Sequence, residues 1–178
     1  SRLIDTIASD FCGFKKSQKS TGGQSAIIED QSEVDAEASI FDASFGGNWA
    51  EQMLCVAYEE GVNNGRITLP RLVQVMSENP AKIFGLYPQK GAIKPGSDAD
   101  IVLFDPSVAH TLSAESQHCI ADFTMFEGKE VLGKPVFTMQ RGEVIIEDGE
   151  MKRSKGNAKF LPGNRELAAY APSGHPVM

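Results

Sequence analysis

Hydrophobic and polar positions change rhythm twice along this chain. Leu3 to Ser9 (Leu-Ile-Asp-Thr-Ile-Ala-Ser) is short and rich in β-formers, which predicts a buried strand ending at Asp10. From Ala50 to Glu60, Met53, Leu54, Ala57 and Tyr58 recur at helical spacing, with Gly61 as the expected stop. Thr68 can cap a second helix with Pro70 in its first turn, and Leu69, Leu72, Val73 and Met76 form its apolar face. Asn79-Pro80 opens a third, short helix, Ala81 to Phe84, closed by Gly85, a residue that tolerates the left-handed conformation.

The second change comes near residue 88. Lys94-Pro95-Gly96-Ser97 is a turn, and Ile101 to Phe104 is an apolar strand expected to end at Asp105-Pro106. Val136 to Met139 and Val144 to Ile146 predict a hairpin around Arg141-Gly142, with a further turn at Asp148-Gly149. The order is strand, loop, three helices, then a β-rich unit: an α/β part over 1–88, a β part over 89–151 and an extended tail over 152–178. No internal repeat is present.

Composition narrows the partners. The 178 residues carry a formal charge of −7, against a general affinity for nucleic acid, since phosphate binding needs clustered Lys and Arg. No apolar run reaches the roughly 20 residues that cross a bilayer, so no membrane partner is expected. Cys12, Cys55 and Cys119 are odd in number and widely spaced, which predicts reduced, mostly buried thiols in a cytoplasmic protein. Glu29 to Glu37 holds five acidic residues and no basic one, and reads as a solvated loop.

Read residue by residue, the chemistry is sparse. Asp10 ends an apolar strand, where a carboxylate can bind a metal or act as a general base, or can simply cap the following turn. Asp98 and Asp100 follow a Pro-Gly turn, where aspartates more often bond backbone amides than metals. His110, His118 and His175 lie in no metal-binding spacing, and a self-contained catalytic zinc site needs three protein ligands. No nucleophile elbow or phosphate-binding glycine pattern appears.

One long match says more. Gly65-Arg66-Ile67-Thr68-Leu69, then Asn79-Pro80-Ala81-Lys82-Ile83-Phe84-Gly85-Leu86-Tyr87-Pro88, resembles the hydantoinase and dihydropyrimidinase family of cyclic amidohydrolases. Lys94-Pro95-Gly96-Ser97-Asp98-Ala99-Asp100-Ile101-Val102, Phe126-Glu127-Gly128 and Arg141-Gly142-Glu143-Val144 continue it in order. The resemblance implies that this chain is the last third or so of such a protein. It would comprise the last strand and helices of a (β/α)8 amidohydrolase barrel, followed by part of a C-terminal β-sandwich. It further implies a hydrolase of small cyclic amides or ureides, with two zinc ions, in a homotetramer whose tails reach a neighbouring subunit.

Ser9-Asp10-Phe11-Cys12 then resembles the family's Ser-Asp-His-Cys. Asp10 would be the metal-ligating catalytic aspartate, taking a proton from the attacking hydroxide and passing it to the leaving nitrogen. Gly46-Gly47-Asn48 and Glu51 resemble the stretch where the family binds substrate through backbone groups, which makes Asn48 a candidate contact, and Gln18-Lys19 loosely resembles a family pair. Asp98 and Asp100 become sandwich turn residues. The departures are Phe11 in place of histidine, Gly13 in place of a frequent proline, and a lengthened acidic stretch before Glu51. The family's other zinc ligands have no counterpart here, so the chain alone is expected to be inactive. The alternatives are a non-catalytic relative acting as a scaffold, like the collapsin-response proteins, and an allantoinase- or dihydroorotase-like hydrolase.

Overall fold

A computed structural model describes residues 4–13, 15–16, 46–153, 158–164 and 166. The acidic stretch Glu29 to Glu37, Gln18-Lys19 and His175 lie outside the described residues. The chain forms two compact units, one of residues 1–8, 55–109 and 132–178, the other of residues 9–54 and 110–131.

The first unit is built on three short helices. Helix α1 (Met53–Ala57) runs on as a wider π turn, Tyr58–Asn63. Helix α2 (Leu69–Val73) likewise continues as a π turn, Gln74–Glu78, into α3 (Asn79–Ile83). Thr68 caps α2 as expected, its hydroxyl accepting from Arg71 N at 3.4 Å. Gly85 closes α3 in the left-handed region at φ 66, and Leu86 N donates to Ala81 O at 2.7 Å.

Gly61 does not stop the first helix, which passes through it to Asn63. The glycine has another use there: Arg66 N and Ile67 N both donate to its carbonyl, and the Ile67 side chain stands 3.0 Å from where a Cβ would be. Gly65, at φ 67, makes the turn instead. The apolar face of α2 is also rotated from the expected one. Leu72 and Val75 are buried, whereas Leu69 and Val73 are about half exposed.

Four strands form one sheet in the order β1 (Ile101–Thr111), β2 (Glu130–Gln140), β3 (Glu143–Glu147), β4 (Glu150–Met151). The two expected turns hold. Arg141 and Gly142 (φ 52 and 82), then Asp148 and Gly149 (φ 51 and 82), take the paired positive φ of two-residue hairpin loops. Register runs Gln140 to Glu143 and Met139 to Val144, then shifts, so that Thr138 faces Ile146 and Ile145 is bulged.

Strand β1 does not end at Asp105-Pro106 but continues to Thr111. It is an edge strand, where a proline's missing N–H can face away from the ladder. The Asp105 carboxylate takes up the local donors, accepting from Ser107 N at 2.8 Å and Ser107 Oγ at 2.6 Å.

Helix meets sheet in the first unit through a close approach at Gly133. Tyr58 packs on Phe104 with ring centroids 4.7 Å apart, and a Cβ on Gly133 would stand 2.6 Å from Phe104 Cζ. Gly133 also sits at φ 113, which other residues rarely adopt. Beside it, Leu132 N donates to Glu59 Oε2 at 3.0 Å and Leu132 O accepts from Asn63 Nδ2 at 2.9 Å. Asp98 and Asp100 serve the sheet too. Lys90 Nζ pairs with Asp98 at 3.0 Å and with Asp100, while Arg141 N donates to Asp100 Oδ1 at 2.7 Å. Asp100 thus bonds a backbone amide, as expected of a turn aspartate, whereas the Asp98 carboxylate meets the side chains of Lys90, Gln89 and Arg141.

Of the segment predicted as the buried strand Leu3 to Ser9, residues 4–9 are described, and they form no strand and are half-buried or exposed. From Ile4 to Asp10 exposure alternates, with Asp5, Ile7 and Ser9 on the more covered side. The segment pairs with no strand among the described residues. Within the first unit, Ile7 N donates to Val75 O at 3.1 Å and Asn79 Nδ2 to Asp5 O at 2.9 Å. The tail also returns on its own unit. Asn164 N donates to Gly85 O at 3.1 Å, while Phe160 is 90% exposed. Cys55 is buried and Cys119 half-buried, but Cys12 is exposed, so the thiols are not uniformly buried. No helix among the described residues is long and apolar enough to cross a membrane.

Candidate active site

The second unit contains both residues singled out for chemistry. Asp10 stands at φ 47, and it is the only non-glycine residue with positive φ outside a hairpin turn among the described residues. Aspartate tolerates this conformation better than most residues, and such strain gathers at functional sites. The side chain is exposed to solvent.

The backbone after Asp10 is held by a distant segment. Gly47 N donates to Asp10 O at 3.4 Å and Cys12 N donates to Gly47 O at 3.2 Å, forming a parallel bridge between Phe11 and Gly47. Gly46 permits the approach. It sits at φ 93, and a Cβ there would lie 2.7 Å from Cys12 Cβ. Asp10 and the turn bearing Asn48 are thereby brought together. Asn48 is 1% exposed as a whole residue, and Gly47 is buried with its N–H and carbonyl both taken up by the bridge, so the turn holds the Asp10 segment from below the surface.

What fixes that turn was not visible in the pattern. Gln52 is buried, and Thr124 Oγ1 donates to its Oε1 at 2.6 Å while its own Nε2 donates to Ser113 O at 3.1 Å. Its neighbour Glu51 accepts from His118 N at 2.8 Å and pairs with the His118 ring at 2.6 Å. Trp49 meets Phe126 edge to face, with centroids 5.5 Å apart. His118 is thus a structural partner of Glu51, and His110 lies half-buried in β1.

The described residues contain no group of three His, Cys, Asp or Glu side chains able to hold a metal ion. A catalytic zinc needs three protein ligands, and Asp10 alone does not meet that need. The donor set described here therefore does not fit a metal centre by itself.

Residues 6–145 match the amidohydrolase family, and the chain belongs to it. Within that family its likeness is to hydantoinases and dihydropyrimidinases. It is 37% identical over 160 residues to the D-hydantoinase of Geobacillus stearothermophilus, covering 89% of this chain and 31% of that protein. To the dihydropyrimidinase of Rattus norvegicus it is 38% identical over 159 residues, covering 89% of this chain and 28% of the relative. The solved structure of a D-hydantoinase (dihydropyrimidinase) from Thermus sp. superposes with a TM-score of 0.75 at 35% identity, over 88% of this chain and 31% of that one. The chain thus spans about a third of the length of the relatives it matches.

Proposed function

We propose that this chain is the C-terminal part of a zinc-dependent cyclic amidohydrolase that opens hydantoin or dihydropyrimidine rings. The single observation that carries the reading is the bridge joining the Asp10 segment to the Gly47-Asn48 turn, in a chain 37% identical to a D-hydantoinase. Residues 1–88 would complete a (β/α)8 barrel, residues 89–151 a β-sandwich, and 152–178 a tail. The whole protein would be a cytoplasmic homotetramer with two zinc ions, most of whose ligands come from outside this chain.

In hydrolysis of a ring amide, water oxygen adds to the carbonyl carbon, the ring C–N bond breaks and a proton must reach the departing nitrogen. Asp10 is the group proposed to carry that proton, since its side chain is exposed and the resemblance assigns the catalytic aspartate to this position. The test is turnover of hydantoin and dihydrouracil by the full-length protein and by the 178-residue chain, each supplied with zinc. The full-length protein should hydrolyse at least one, Asp10→Asn should lower kcat by at least about 100-fold, and the chain alone should be inactive. Turnover by the isolated chain would overturn the proposal that its activity depends on residues outside it.

A second reading, a non-catalytic scaffold, is favoured by one observation. Phe11, next to Asp10, places a 45% exposed ring where the resemblance implies a histidine. A full-length protein that binds no zinc and turns over neither ring would establish it.

A further inference from the structure

We infer that Gly46 is a positioning residue for Asp10, a reading that rests on the catalytic role proposed above for that aspartate. Asp10 holds a left-handed backbone at φ 47 with no hairpin turn to impose it. A residue other than glycine keeps such a backbone only where its surroundings leave it no other. Here the Gly46-Gly47 segment supplies the constraint. Gly47 N donates to Asp10 O at 3.4 Å, and Gly47 O accepts from Cys12 N at 3.2 Å. Because each peptide is planar, these two bonds fix the backbone on both sides of Phe11, and the first of them holds Asp10 itself.

Gly46 decides how near that segment can come. A Cβ on it would stand 2.7 Å from Cys12 Cβ, 3.1 Å from Asp10 O and 3.5 Å from Cys12 N, so the three nearest atoms all belong to residues 10 and 12. The first of these contacts is between two Cβ atoms, which no side-chain rotation relieves. At φ 93 the glycine also has a backbone that other residues rarely adopt. A side chain at position 46 therefore pushes the two segments apart and loosens both bonds. The Asp10 side chain springs from the Cα that carries the φ of 47. Release of the Asp10 carbonyl lets that backbone turn, and the exposed carboxylate turns with it. Gly46 touches no reacting atom. It sets the aim of the group proposed to move the proton, so its loss falls on kcat rather than on KM.

The experiment uses the full-length protein with hydantoin and dihydrouracil as probes. Gly46→Ala should lower kcat about tenfold and leave KM within about twofold. Gly96→Ala is the control, because Gly96 has nearly the same φ, 91, with nothing within 4 Å of its Cβ position, and it should leave both constants unchanged. Added to Asp10→Asn, Gly46→Ala should lower kcat no further, since the group it aims is already gone. No loss in kcat, a rise in KM as large as that loss, or an equal loss in Gly96→Ala overturns the inference. So does an equal loss with and without Asp10→Asn. If Gly46→Ala does not fold, Cys12→Val crowds the same contact from the other side and is read in the same way. A wild type that turns over neither probe sinks the proposed function instead. The Asp10 backbone in a crystal structure of Gly46→Ala then decides this inference, which stands if φ leaves the left-handed region and falls if it stays.

Discussion

Glu51 holds His118 with both carboxylate oxygens, one on the backbone N–H at 2.8 Å and one on ring Nδ1 at 2.6 Å. The two residues are 67 positions apart, and the pair ties the middle of the 113–126 loop to the residue before Gln52. Glu51→Ala removes both bonds and should destabilise the protein by about 1–2 kcal/mol, since each such bond contributes about 1 kcal/mol net. The denaturant midpoint should fall with an unchanged slope. His118→Ala keeps the bond to its own backbone and should cost less than Glu51→Ala.

The Lys90, Asp98 and Asp100 cluster makes a prediction about pH. The hydrogen bond from Lys90, with the charges of Lys90 and Arg141, holds Asp98 below its ordinary 3.8. Partial burial works to lower Lys90, but its bonds to Asp100 and Asp98 outweigh this and raise it above 10.5. A lowered carboxylate contributes stability present above pH 3.8 and lost as pH falls through the folded value. A raised amine contributes stability present below pH 10.5 and lost as pH rises through its folded value. The stability difference between wild type and Lys90→Met should therefore be flat between these limits and shrink outside both. Urea midpoints of the two proteins across the pH range check this.

Gly133→Ala tests the helix-to-sheet contact of the first unit. The new methyl meets Phe104 at 2.6 Å and Tyr58 at 2.9 Å, at a backbone φ of 113. Overpacking of this kind costs about 1–3 kcal/mol, to which the unfavourable φ adds. Gly142→Ala meets nothing within 4 Å, so it carries only the backbone term and should be the milder change. Thermal unfolding of the two variants side by side separates packing from conformation.

Much of the local structure was legible because the residues responsible act on their immediate neighbours. Thr68 caps the helix that starts at the next residue, Gly85 closes the one just before it, and Arg141-Gly142 shapes its own hairpin. Where packing beyond the immediate neighbours intervened, the pattern misled. Gly61 looked like a stop until Ile67 filled the space beside it, and Pro106 looked like a strand end until the sheet order placed it at an edge.

The same division runs through the candidate site. The sequence by itself determined the amidohydrolase resemblance, the turns and caps, and Asp10 as the carboxylate to watch, because each is written in contiguous residues. Tertiary structure alone decided that Asp10 takes a left-handed backbone, that Gly46 and Gly47 run beside it, and that Gln52 finds Thr124 across 72 positions. The reason is that buried polar groups must be satisfied by whatever the fold brings near, and no local pattern records which groups those are.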